Sequence, residues 1–265
     1  MTRGSIKLDV RDGVARITMA RAEKHNAFDD LLIGELTSVF DRVAADDAVR
    51  VIVLAGEGKS FSAGADLGWM QRMADYSEAE NLEDARQLAT MMQILNEMPK
   101  PTVAQVQGAA IGGGVGLVAA CDIAVAAQDA SFCLSEVRLG LIPAVISPYV
   151  VEAIGARAAR RYFQTAERFG ADDAFVLGLV HDVVAREGLD ARVDGFVALL
   201  LDNGPNAMAA SKDLIRRVSA GPIDGAMIDD TAQRIASIRA GAEGREGVSA
   251  FLEKRGASWR TRTGS

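Results

Sequence analysis

GAAIGGGVGLVAACD, residues 108–122, is the stretch on which the reading of this chain turns. Gly112, Gly113 and Gly114 carry no Cβ, so their backbone can take dihedrals closed to other residues and lie directly against a ligand. The apolar run over residues 115–120 reads as a buried helix, whose first amides favour negative charge. Together they read as an oxyanion hole. Two other readings stand beside it. One is a tight strand-to-helix turn that serves packing alone. The other is a dinucleotide loop: G-x-G-x-x-G fails at Leu117 when started from Gly112, but fits loosely from Gly114 through Gly116 and Ala119, with Glu136 about twenty residues on. Such a loop opens the first βαβ unit of its domain, whereas this one lies mid-chain and the next strand candidate ends near Ala126. A Walker loop is excluded by the missing Lys-Ser/Thr pair.

Residues 59–70, KSFSAGADLGWM, again combine small residues and glycine, just after an apolar strand-like run over residues 51–55. Two such loops can bring two backbone N–H groups together. With FSAGADL read beside KPTVAQVQGAAIGGGVG, CDIAVA, LSEVRLGLIP and EGVSAFLEKR, in that order, the chain resembles the enoyl-CoA hydratase/isomerase (crotonase) superfamily over nearly its whole length. The resemblance implies an α/β fold: a crotonase-like spiral of repeated ββα units over residues 1–195, then a C-terminal helical trimerisation region over residues 196–265. No repeat is visible in the sequence itself, so the spiral is an implication of the family.

Local patterns are compatible with that class. Ile6, Leu8 and Val10, then Val14, Ile17 and Met19, flank Asp12-Gly13 as a β-hairpin would. Leu31, Leu32, Leu36, Val39, Phe40 and Val43 have helical spacing, and residues 51–54 form an apolar strand. A long helix is expected over residues 78–97, stopped by Pro99 and Pro101, with Met91 and Met92 in its core face. Short strands follow at 103–106 and 123–126, and beyond Ala153 the pattern is helical apart from residues 179–184.

A net charge of −7 and a pI near 5.0 argue against nucleic-acid or anionic-membrane partners. Residues 101–121 are uncharged and as long as a membrane span, but five glycines, Pro101, Gln105 and Gln107 mark a buried core segment. The N-terminal MTRGSIKLDVRDG has no continuous apolar stretch of the secretory kind, so a cytoplasmic location is expected. Cys121 and Cys133 match no zinc spacing and read as reduced, small hydrophobes. With only His25 and His181, neither a histidine triad nor a histidine metal cluster can be assembled, and no metal is expected.

The resemblance assigns the chemistry. An enoyl thioester becomes electrophilic at Cβ only when negative charge can move onto its oxygen, so the site must stabilise an enolate. The donors it implies are the backbone amides of Ala65 and Gly113. Asp66 is positioned to cap the helix that follows. Ala63, Asp66, Leu67 and Gly112 fall in the same two loops as substrate-binding residues. In RAEKHNAF, Lys24 is expected to meet CoA phosphate and His25 to act mainly through its backbone. Phe251 and Lys254 match positions that reach a neighbouring subunit's CoA. Glu136 matches one of the two glutamates of family hydratases, while the other position is Gly116; a carboxylate restored there is expected to stand opposite Glu136.

One carboxylate leaves three readings: a hydratase in which Glu136 serves as both base and acid, a Δ3-Δ2 isomerase, or an acyl-CoA-binding homologue of low activity. The run LSEVRLGLIPAVISPYVVEAIG resembles the bacterial 3-methylglutaconyl-CoA hydratase branch, which implies leucine breakdown, and its relative acting on isohexenylglutaconyl-CoA. Arg72 and Arg86 are candidates for a distal substrate carboxylate, with a charged helix face as the alternative. CoA belongs to the substrate, so no separate cofactor is expected. The partners implied are an acyl-CoA thioester and further copies of the chain, as a trimer or a dimer of trimers.

Overall fold

Asp12 and Gly13 both take positive φ, 49° and 81°, so the turn they form follows the right-handed twist of the strands it joins. β1 (Ile6–Arg11) and β2 (Val14–Met19) pair antiparallel about it, Ile6 opposite Met19, in a computed structural model that describes residues 4–219 and 221–260. A 3-10 turn (Ala22–Lys24) leads to α1 (Asp30–Ala45), whose first turn is capped by the Asp29 side chain.

From there the chain makes one movement three times. β3 (Val51–Gly56) is followed by the short β4 (Ser60–Ser62) and by α2 (Leu67–Met73) and α3 (Glu78–Asn96). Next, β5 (Thr102–Val106) is followed by β6 (Ala109–Ile111) and α4 (Gly113–Ala120). Finally β7 (Ile123–Ala127) is followed by β8 (Ser131–Cys133) and α5 (Ser147–Thr165), which is broken at Gly155. β9 (Phe169–Gly170), α6 (Ala171–Leu177), β10 (Asp182–Val184) and α7 (Leu189–Leu201) complete the core. α8 (Pro205–Ser219), α9 (Gly225–Ala240) and α10 (Ala242–Leu252) form the C-terminal helices.

The first strand of each unit enters a six-stranded sheet, β1-β2-β3-β5-β7-β10, and the second a four-stranded sheet, β4-β6-β8-β9. This alternation is the spiral of ββα units. Ile52, Leu54, Ala104 and Val106 face α1, α3 and α4, while Val51, Val53, Val103 and Val125 face Leu189, Val193 and Val197 of α7. Both faces are buried, which is why these strands read as unbroken apolar runs. Burying each large aliphatic side chain contributes about 1.5–3 kcal/mol. The boundary expected at 195/196 falls inside α7, between Val193 and Val197, which pack in one cluster.

An ion pair fixes α8 to the large sheet. Lys212 Nζ lies 2.9 Å from Asp122 Oδ2, which also accepts from the Thr102 N–H at 2.8 Å and hydroxyl at 2.9 Å. Cys121 and Cys133 are buried and free, and burial pushes the Cys121 thiol up to about 12. Among the described residues, no helix is long and apolar enough to cross a membrane.

Candidate active site

The three glycines at the β6–α4 junction each meet a different constraint. Gly112 has φ 52° and ψ −116°, a combination glycine adopts far more readily than other residues, and a Cβ there would lie 3.0 Å from Glu136 Oε1. A Cβ at Gly113 would lie 3.0 Å from the Phe28 ring, and one at Gly114 2.7 Å from the Ser62 carbonyl. The Gly112 N–H donates to Cys133 O at 2.9 Å, and Gly112 O accepts from Val115 and Gly116. Gly113 is the first residue of α4, so its N–H lies outside the helical ladder, and none of the backbone acceptors described takes it.

Opposite it, Phe28 and Ala65 form an isolated bridge, in which Phe28 N–H donates to Gly64 O at 2.6 Å and Asp66 N–H to Phe28 O at 2.7 Å. That pattern leaves the Ala65 N–H out of the ladder. Ala65 and Gly113 line one pocket of about 380 Å³ together with Ala63, Gly112 and Glu136.

Asp66 caps α2 as its position suggests, accepting from Gly68 N–H at 2.9 Å and Trp69 N–H at 3.2 Å. Lys24 Nζ lies 2.9 Å from its other oxygen. The Lys24 bond, opposed by burial and aided by the Trp69 and Gly68 amides, holds the Asp66 carboxyl below the usual carboxylate range. The Lys24 side chain remains 48% exposed, and the cation expected at CoA phosphate is therefore paired but at the surface. His25 takes φ 52° and uses its carbonyl to accept the Ala63 N–H at 2.9 Å, while its Nδ1 lies 3.1 Å from Ser60 Oγ. Leu67 opens α2 exposed to solvent and outside the pocket lining.

Glu136 begins a 3-10 turn (Glu136–Leu139) just after β8. It is the one ionisable side chain among the lining residues, which otherwise include Trp69, Met73, Leu88, Leu141 and Val145. Its Oε2 is buried without a hydrogen-bond partner, and burial pushes the carboxyl above its ordinary range.

Gly116 packs against a residue of the same lining. A Cβ on it would lie 2.3 Å from Ile146 Cγ2, 2.9 Å from Ile146 Cβ and 3.1 Å from Met92 Cε. Ile146 lines the pocket and is buried. A carboxylate restored at 116 would therefore begin in space that Ile146 occupies, and could stand opposite Glu136 only if Ile146 moved. Arg72 is ion-paired with Asp30, and Arg86 lines a separate groove with Asp41 and Glu83, so neither joins the pocket. Phe251 is 81% exposed at the end of α10 and Lys254 follows it; neither lines the pocket of its own chain.

Sequence reasoning passed over Phe28, Asn26 and Ile146. Asn26 is fully buried and its Nδ2 donates to Glu57 O and Ser60 O, both at 2.9 Å, tying the RAEKHNAF turn to the loop that carries Ala65. A signal existed, since asparagine tolerates the positive φ of 53° found here.

A sequence profile described as enoyl-CoA hydratase/isomerase matches residues 9–262. The chain belongs to the enoyl-CoA hydratase/isomerase family. The solved enoyl-CoA hydratase from Shewanella pealeana is 47% identical and superposes with a TM-score of 0.94 over 96% of each chain. The crotonyl-CoA hydratase of Syntrophomonas wolfei is 32% identical over 261 residues, 98% of this chain and 99% of its own. A 4-chlorobenzoyl coenzyme A dehalogenase from Arthrobacter is also 32% identical, over 88% of this chain and 85% of its own. Enoyl-CoA hydratase-type activity is supported for the family, and the names of these relatives span crotonyl-CoA and 4-chlorobenzoyl-CoA.

Proposed function

We propose that the protein adds water across the α,β double bond of an acyl-CoA thioester, with Glu136 as its single acid/base and the Ala65 and Gly113 amides as the oxyanion hole. The observation that carries this reading is the buried, unpartnered Oε2 of Glu136 in an otherwise non-ionisable lining shared with both amides. Glu136 as carboxylate takes a proton from water while the oxygen adds to Cβ; the enolate charge moves to the thioester oxygen between the two N–H groups. The proton then passes from Glu136 to Cα, which restores the carboxylate. Losing one donor of this kind costs about 3–4 kcal/mol of barrier.

The narrower substrate reading, a branched glutaconyl-type acyl group such as that of 3-methylglutaconyl-CoA, rests on the resemblance of LSEVRLGLIPAVISPYVVEAIG. With Arg72 and Arg86 outside the pocket, its distal carboxylate would meet no cation of the lining and would sit at the mouth in water. Lys24 and His25 in the RAEKHNAF turn, and Phe251 and Lys254 from a neighbouring copy, are the CoA contacts of this reading. Exposed Ile223, Ile228, Phe251 and Leu252 support assembly as a trimer or a dimer of trimers through the C-terminal helices.

Loss of absorbance of the conjugated thioester, followed with crotonyl-CoA and 3-methylglutaconyl-CoA, tests both levels. Hydration of both with preference for the latter supports the full reading; an equal or reversed preference removes the glutaconyl assignment. Glu136→Gln is expected to abolish turnover while CoA-ester binding persists, and near-normal activity in that variant would refute the assignment. The packing of Ile146 against Gly116 favours one second reading, in which a lone Glu136 shuttles a proton between Cα and Cγ. A β,γ-enoyl-CoA that gains conjugated absorbance with the enzyme would identify it.

A further inference from the structure

Arg21 is only 8% exposed, and its backbone is fixed before its side chain is considered. Its N–H donates to Asn26 Oδ1 at 2.9 Å, and its carbonyl accepts from the Lys24 and Asn26 N–H groups at 3.0 Å. From this turn the guanidinium reaches two carboxylates. Nη1 lies 2.6 Å from Asp29 Oδ1, and Nη2 lies 3.8 Å from Asp66 Oδ2.

Both carboxylates are helix caps. Asp29 accepts the Leu32 N–H of α1 at 2.9 Å, and Asp66 accepts the Gly68 and Trp69 N–H groups of α2. Both also follow directly on a residue of the bridge at the site, Asp29 on Phe28 and Asp66 on Ala65. The guanidinium therefore joins the two segments whose bridge presents the Ala65 N–H. Phe28 extends the constraint to the second amide, because its ring edge packs where a Gly113 Cβ would be. A buried ion pair is weak evidence for stability, since desolvation offsets much of the attraction. Its effect here is geometric: the guanidinium stands between the two carboxylates as a charge contact to each, with Nη1 left without a well-directed hydrogen bond.

We propose that Arg21 is a positioning residue that sets the spacing of the Ala65 and Gly113 amides, through Asp29–Phe28 on one side and Asp66–Ala65 on the other. It thereby sets how strongly the thioester oxygen is polarised. The inference rests on the oxyanion reading above. It is tested by the infrared band of a ¹³C-labelled thioester carbonyl in bound butyryl-CoA, which cannot be hydrated, alongside kcat and KM for crotonyl-CoA.

In the wild-type protein the band is expected to move to lower frequency on binding. Arg21→Met is expected to shrink that shift and to lower kcat roughly ten- to a hundredfold, below the loss for a deleted donor, with butyryl-CoA affinity retained. Arg21→Lys should recover part of the shift. Asp29→Asn, which keeps a capping oxygen but removes the charge, should lose it as Arg21→Met does. Lys212→Met, which breaks a half-buried ion pair whose residues do not line the pocket, serves as the control that lowers stability and leaves the band unmoved.

A full shift and wild-type kcat in Arg21→Met would overturn the proposal, as would a loss of kcat matched by Lys212→Met at equal loss of folded protein. Should Arg21→Met fail to fold, an unmoved band in both Arg21→Lys and Asp29→Asn would overturn it equally. A wild-type shift without hydration of any enoyl-CoA would sink the hydratase reading and leave the clamp standing. No shift in the wild type would sink the clamp.

Discussion

Glu136 is held as a carboxyl that gives up its proton less readily than an exposed glutamate, and the direction of its pH effect follows. Burial raises its pKa, and the carboxylate is the form that accepts a proton from water, so activity must rise with pH through the raised value. The acid limb of kcat/KM is therefore expected above the ordinary glutamate pKa of about 4.3, and a limb at or below it would mean that another group titrates. Gly116 supplies a second test at this scale. Gly116→Glu should destabilise the fold by about 1–3 kcal/mol or more through overpacking, with a further cost for a buried carboxylate. Adding Ile146→Gly removes the two closest contacts, leaves that of Met92, and should recover part of the melting temperature. A single variant as stable as the wild type would show that Ile146 does not fill this space. Glu136 was legible because it lies inside a continuous motif. Ile146 was not, because only the fold brings it against Gly116.

The strand–turn–helix made by β6 and α4 is where local sequence and tertiary placement meet. Gly113→Val would drive a branched side chain into the Phe28 ring and so disturb both amides at once. Overpacking of this kind costs about 1–3 kcal/mol of stability, whereas activity should fall about a hundredfold, as when an oxyanion donor is lost. Thermal melting and turnover measured on one preparation separate the two effects; an unchanged turnover would reduce the glycine loop to packing. Elements buried on both faces, such as β3, β5 and β7, were legible as apolar runs, and α3 was legible from its stripe and its prolines. The strands β4, β6, β8 and β9 were not, since two or three residues hold too little of a two-residue period to register. Those short strands make up the small sheet, and the loops at their ends carry the amides.

Across the whole molecule, acid stability should depend in part on the capping carboxylates Asp29 and Asp66. Burial raises the Asp29 pKa, but the Arg21 pair and the Leu32 amide outweigh it, and Asp66 is lowered chiefly by Lys24. With folded values below the unfolded ones, their contribution is complete above about pH 4 and is lost as pH falls through the folded values. Asp66→Asn, which keeps a capping oxygen, should flatten the fall in melting temperature below about pH 4. An unaltered slope would place the acid-labile contacts elsewhere. The spiral has one more consequence. Each of its turns delivers one segment to the pocket: 63–65 from the first, 111–113 from the second, 135–146 from the third. The segments that would steady the developing charge and the segment that would move the proton are thus separate lengths of chain. Exchanging the third loop could redirect the reaction while the first two go on gripping the same thioester, so that one scaffold serves as a fixed vice with interchangeable jaws.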